Sequence, residues 1–243
     1  MNMLASTIAS FGRDLPVRPL DMAYLSLGHS GLLQRSGGVL NSAEASLRKG
    51  PIYFMGLNPG GESADEEAGN SLTIAESLAL SRLGCNGFDQ DWSTDRKTYA
   101  PGRSLMQQRF KYVCGRLGLI YSEVCATNFV FTRSRDIKSH QSFGDDLIAS
   151  LKVHDILLNV VKPEFLWIQG NPGTVGLKAE LEWRKEGSGY SNWAIGRGTA
   201  ELCGKRYQVC HTPHLVFWDP KANVDAFEWA FALTGMLNEA RSD

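Results

Sequence analysis

Three polar side chains stand where the chain could do chemistry: Asn58, Asn128 and His211. Asn58 lies in a sharp turn, G-L-N-P-G-G (Gly56–Gly61), directly after the apolar run Ile52–Met55. Asn128 comes near the end of E-V-C-A-T-N-F-V-F (Glu123–Phe131), and His211 closes the run Tyr207–His211. A carboxamide holds a donor and an acceptor side by side, so it reads a complementary edge such as that of a nucleobase. An imidazole stabilises an anion as it forms. A side-chain amide or a turn carbonyl holds a water without strongly deprotonating it. Together these groups suit a reaction driven by its leaving group, with water as a late and weak nucleophile. No obvious carboxylate pair, serine triad or metal cluster accompanies them. The sequence G-H-S-G at Gly28–Gly31 is not a nucleophile elbow, because Leu32 stands where the second glycine is needed. Each residue also has an ordinary structural reading. Asn-Pro-Gly is a common turn, an Asn at a strand end can cap a turn, and a strand histidine can be a satisfied core residue.

The elements that must position these residues follow from the hydrophobic pattern. The continuous apolar run Ile52–Met55 reads as a strand buried on both faces, and Glu123–Phe131, Glu164–Gln169 and Tyr207–His211 read as further strands. Helical spacing is predicted over Leu72–Leu83 with Ser71 or Asn70 as N-cap, over Arg103–Leu117 closed by Gly118, and over Asp145–Val161 stopped by Pro163. Further helices are expected at Thr174–Trp183 and Ala222–Glu239, and 187–200 reads as a Gly-rich surface loop. Thr199–Leu202 and Tyr207–His211 are expected to pair around Cys203–Arg206. Residues 1–50 read as an N-terminal helical cap with short helices at Met3–Ser10 and Ser42–Lys49, and 62–102 as an inserted loop and helix region. Alternating strands and helices predict one α/β domain over residues 1–243. It would be a three-layer sandwich with a central, mostly parallel, four-stranded sheet flanked by helices. Sites in such sheets form beyond the strands' C-terminal ends. Asn58, Asn128, the Gly170–Gly173 turn and His211 all fall there and are expected to converge on one pocket.

Composition sets bounds. The formal net charge is −1, which neither requires nor excludes nucleic acid. The five cysteines are scattered without C-x-x-C spacing, so neither zinc nor an iron–sulfur cluster is signalled. Scattered cysteines, no signal pattern and no membrane-length apolar run predict a cytoplasmic protein.

Several motifs resemble the uracil-DNA glycosylase superfamily. G-L-N-P-G (Gly56–Gly60) is similar to the first motif of its mismatch-specific and single-strand-selective members. H-T-P-H-L (His211–Leu215) is similar to the second motif, and T-N-F-V-F-T (Thr127–Thr132) resembles the strand that presents a base-reading Asn. W-I-Q-G (Trp167–Gly170) resembles a further family strand. These occur in family order across roughly 51–240, whereas the first fifty residues and much of 62–98 show no likeness. The resemblance implies a monofunctional, metal-independent DNA glycosylase without a cofactor, acting as a monomer on a base flipped out of DNA. It implies that Asn58 positions the attacking water, that His211 donates to a base carbonyl, and that Gly56, Leu57, Asn128 and a stacking Tyr99 line the base pocket. It further implies DNA contacts by Ser63, Thr212 and the wedge Leu215. Arg133 and Arg135 follow the second strand and are candidate phosphate grips, with a solvated basic loop as the alternative.

The chain departs from that pattern in places. Thr-Pro replaces the family's Pro-Ser after His211, so only Thr212 could take the serine's part, and His214 replaces a proline. Asn58 stands where the most active relatives carry Asp, which predicts slower chemistry. Glu62, Asp65, Glu66 and Glu67 make the inserted segment acidic. Two other readings fit the same residues: a non-catalytic binder of modified DNA or of a protein partner, and a hydrolase of free nucleosides or nucleotides.

Overall fold

A computed structural model describes residues 17–60, 71–94, 97–140, 142–170, 177–185 and 194–237. Four strands run parallel in the order β4 (Cys125–Asn128), β1 (Ile52–Gly56), β5 (Phe165–Gln169) and β8 (Lys205–Thr212). β1 and β5 are buried along their whole length, as strands covered on both faces are. Two antiparallel strands, β7 (Ala194–Leu202) and β6 (Lys178–Lys185), extend the sheet beyond β8. The sheet is therefore six-stranded and mixed, two strands wider than the sequence predicts. A separate two-stranded ribbon pairs β2 (Trp92–Thr94) with β3 (Lys97–Tyr99).

Helices cover both faces. On one lie α1 (Pro19–His29), α2 (Ile74–Arg82) and α4 (Phe143–Val161), whose Leu20, Leu78 and Val153 share a core with Tyr53, Met55 and Ile168. On the other lie α3 (Leu105–Arg116) and α5 (Val224–Phe231), whose Phe110 and Phe227 pack with Phe54, Trp167 and Cys210. The alternation Phe54/Met55 and Trp167/Ile168 between the two cores is the two-residue pleat of the strands. Phe110 stacks on Phe88 at 3.8 Å and on Trp167 at 5.5 Å, fixing α3 against the sheet.

Local chemistry sets the helix ends. Thr73 caps α2, not Ser71 or Asn70: its hydroxyl takes the Glu76 N–H while the Glu76 carboxylate takes the Thr73 N–H. Ser104 and Gln107 form the same reciprocal pair at α3. Two element assignments are corrected. Residues 178–183 of the expected helix belong to strand β6, because Ala179, Leu181 and Trp183 alternate with Glu180, Glu182 and Arg184. The Gly-rich loop contains β7 from Ala194 on. Its Gly196 lets the Trp183 ring lie over the backbone, where a side-chain carbon would be 3.1 Å from that ring. Smaller corrections shorten the second strand to Cys125–Asn128, the closing helix to Val224–Phe231 and the 42–49 helix to one 3-10 turn, Glu44–Ser46. The pairing of 199–202 with 207–211 is present as the β7–β8 hairpin. The Met3–Ser10 helix lies outside the described residues. No helix among the described residues is long and apolar enough to cross a membrane.

Candidate functional site

The strand order reverses between β1 and β5: the chain passes from β1 outward to β4, then back across to β5. In doubly wound sheets a crevice opens at such a reversal, beyond the strands' C-terminal ends. The turn Leu57–Pro59 and Gly170 flank it, with the Leu57 Cβ 3.8 Å from where a Gly170 Cβ would lie. The turn is tied to the segment after β4 by backbone bonds from Phe129 N–H to Gly56 O, Val130 N–H to Leu57 O and Ser134 N–H to Pro59 O.

Asn58 is held in one orientation. Its Nδ2 donates to Ser134 O (2.8 Å), Ser134 Oγ (2.9 Å) and Pro59 O (3.1 Å). Two of those partners are carbonyls, which only accept, so the nitrogen must face them. Oδ1 then points away from them and has no partner among the described residues. A carbonyl-type oxygen fixed in this way can accept from a water but cannot take its proton.

Asn128 lies one strand over. It pairs in register with Gly56, and its Oδ1 occupies the space that a side chain at 56 would need. Gly56 is thus required for close approach. Asn128 is buried, yet its amide has no hydrogen-bond partner among the described residues. Register places Gln169 and Thr212 on the same face, toward α3 and α5. Gln169 is buried as well, and its Nε2 reaches only the Met106 thioether at 3.9 Å. The sequence signal for Gln169 was an amide ending an otherwise apolar strand, F-L-W-I-Q, and the sequence reading passed over it.

His211 does not join them. It pairs with Ile168, on the α4 face, so the pleat puts its ring on the opposite side of the sheet from Asn128. The ring sits edge-on to Trp183 at 5.0 Å. Its Nε2 bonds the Gly170 carbonyl, which makes Nε2 the protonated nitrogen. Nδ1 is buried without a partner among the described residues. Burial lowers its pKa to about 4, so the ring is neutral at neutral pH with its one N–H already committed. The convergence of two amides and an imidazole is thereby corrected: Asn128 shares its face with Gln169, and His211 braces the Gly170 turn from the other side.

The second motif is likewise packed inward. Thr212 is fully buried and its hydroxyl accepts from the Trp167 indole N–H (2.9 Å), so it is not presented to a phosphate. Leu215 is fully buried in the α3–α5 core, so it is no wedge in this conformation. Arg109 fixes that turn by donating to Leu215 O (2.6 Å) and Val216 O (2.9 Å). Tyr99 stands opposite Trp92 in the β2–β3 ribbon with the Lys97 ammonium 4.8 Å from its ring centre. Arg133 is half-buried with its Nε unpartnered among the described residues, and Arg135 is exposed on the same loop as Ser134. Ser63, residues 171–173 and the acidic positions 62 and 65–67 lie outside the described residues. No three or more His, Cys, Asp or Glu side chains among the described residues group as metal ligands.

Compared with known proteins, the chain matches no family model and no curated protein.

Proposed function

We propose that the chain is a DNA glycosylase of the uracil-DNA glycosylase type, hydrolysing the N-glycosidic bond of uracil or a related altered base. The observation that carries this reading is Asn128, a buried carboxamide with no hydrogen-bond partner among the described residues, laid over the bare backbone of Gly56 where the sheet's strand order reverses. Such a group leaves hydrogen bonds that a ligand with a matching edge can complete. A flipped base offers that edge: its ring N–H donates to Oδ1 and its carbonyl accepts from Nδ2. The resemblance of G-L-N-P-G and T-N-F-V-F-T to family motifs supports the same assignment.

In this reading the C1′–N bond breaks heterolytically, leaving an oxocarbenium-like sugar and an anionic base. Asn128 stabilises the anion through Nδ2–H; a donor aimed at developing charge is worth about 2.7–4 kcal/mol in favourable cases. Asn58 Oδ1 orients a water toward C1′. Asn58 cannot take the water's proton, which passes to the departing base or to solvent, so the reaction is slow and leans on the leaving group. Arg133 and Arg135, on the loop beside the Asn58 turn, would meet phosphates in this reading.

A second reading, a non-catalytic binder of modified DNA, is favoured by His211: the expected donor to the base faces the other side of the sheet. Incubation with single- and double-stranded oligonucleotides carrying uracil and other altered bases, followed by alkali, separates the two. Strand scission that Asn58→Ala removes supports hydrolysis. Salt-dependent, base-dependent binding without scission supports the binder.

A further inference from the structure

We propose that Gln169 is a second base-reading side chain, and that with Asn128 it selects a base carrying two carbonyls about a ring N–H, a cyclic imide. The proposal rests on the reading of the crevice as a base pocket. Continuing the β1–β5 register one step past Met55–Ile168 sets Gly56 opposite Gln169, as Gly56 is opposite Asn128. The row across the sheet is then Asn128, Gly56, Gln169, Thr212, all facing α3 and α5. Gly56 has no side chain, so the Asn128 carboxamide lies over it toward Gln169, the α-carbons of the two amides being two strand spacings, roughly 9–10 Å, apart.

Gln169 lacks the bonds that would explain it structurally. It is 3% exposed, the four residues before it are buried and apolar, and a thioether is a weak acceptor. Gln107, another buried glutamine, shows what a structural amide looks like. Its Nε2 donates to Gly87 O (2.9 Å) and Gln90 O (2.7 Å), and its Oε1 accepts the Ser104 N–H. A leucine or methionine at 169 would pack against Met106 with no polar group left over. The amide instead sits on the row where a second amide, Asn128, has no hydrogen-bond partner among the described residues. One amide satisfies a ring N–H and its neighbouring carbonyl; the second supplies a donor to the other carbonyl. A base lacking that carbonyl leaves Gln169 buried and unpaired, which gives discrimination.

The test measures binding of oligonucleotides carrying 2′-fluoro-2′-deoxyuridine, whose fluorine suppresses cleavage, its 2-thio and 4-thio forms, and a tetrahydrofuran abasic analogue. Wild type, Gln169→Leu and Gln169→Met are compared after thermal unfolding confirms that at least one variant folds. The expected result is at least tenfold weaker uracil binding in the folded variants, with abasic binding unchanged. One of the two thio substitutions should weaken wild type and leave the variants unaffected. Unchanged uracil binding and the same thio penalties in the variants overturn the proposal. Ordinary deoxyuridine oligonucleotides treated with alkali test hydrolysis separately: base-dependent binding without scission removes the enzyme and keeps the role of Gln169. Equal wild-type binding of uracil and abasic strands overturns both.

Discussion

The two faces of the sheet treat buried polarity differently. On the α4 side most of it is paired, His211 Nδ1 being an exception among the described residues. Tyr53 O–H donates to His154 Nδ1 (2.9 Å), and His154 Nε2–H donates to Phe129 O (3.1 Å). Nearby, Thr132 O–H donates to Asp146 (2.6 Å), which also takes the Arg35 guanidinium (2.7 Å), and His140 Nε2 meets Thr132 Oγ1 (2.8 Å). These bonds tie the segment after β4 to α4, and that segment carries Ser134 and so the orientation of Asn58. On the α3 side Thr212 and Gln107 are paired, but the amides of the buried Asn128 and Gln169 have no strong hydrogen-bond partner among the described residues. Paired polar groups fix a single conformation; unpaired ones at a crevice leave hydrogen bonds for a ligand to complete.

That contrast can be broken by substitution. The largest loss of stability is expected from Asp146→Ala, which takes a buried carboxylate from Thr132 and Arg35. About 2–4 kcal/mol in denaturant unfolding is the expected cost, below the fully buried figure because Arg35 is 40% exposed. Acid acts on the same side. Burial lowers His154 and His211 to about 4 against about 6.5 in the unfolded chain, so between those values the unfolded state binds more protons. Stability is therefore complete above about pH 6.5 and falls as the pH drops toward 4. His154→Gln should flatten that slope in unfolding curves taken across the range. Next comes a paired comparison. Tyr53→Phe leaves His154 Nδ1 without its donor and should cost about 1–3 kcal/mol. Asn128→Leu removes an unpaired amide and should change stability by less than about 1 kcal/mol. Equal costs in the two variants would erase the distinction between the faces. The smallest effect is expected from Ser134→Ala, which removes one of three acceptors orienting Asn58. Several-fold slower base release with unchanged stability is the expected outcome, read from single-turnover scission and melting.

The parallel half of the sheet was legible because β1 is a continuous apolar run and β4, β5 and the end of β8 are short apolar stretches ending in polar residues. Their row at the C-terminal edge, including Asn58 and Asn128, followed from that. The antiparallel half was misread for two local reasons. Lys178–Lys185 carries good helix formers, and its two-residue alternation outweighs their propensity once it pairs with β7. The glycines of β7 mimic a loop, but Gly196 serves the packing of Trp183 against His211. That same extension misplaced His211. Proximity to a strand's end does not say which face a side chain takes; that depends on a one-residue register, which motif spacing does not carry. Leu215 and Thr212 failed similarly, since only packing shows that Arg109 and Trp167 draw their turn inward.

The central claim is that the α3-side crevice holds a base through Asn128 beside a water set by Asn58. Its most direct measurement is single-turnover release of uracil from single-stranded and duplex oligonucleotides, with wild type, Asn58→Ala, Asn128→Leu and His211→Asn side by side. The account predicts alkali-labile strands with wild type, at least a hundredfold slower release for the two asparagine variants, and a much smaller change for His211→Asn once its stability is allowed for. Loss of release with His211→Asn while Asn128→Leu remains active, or no release of any base by folded wild-type protein, would contradict it.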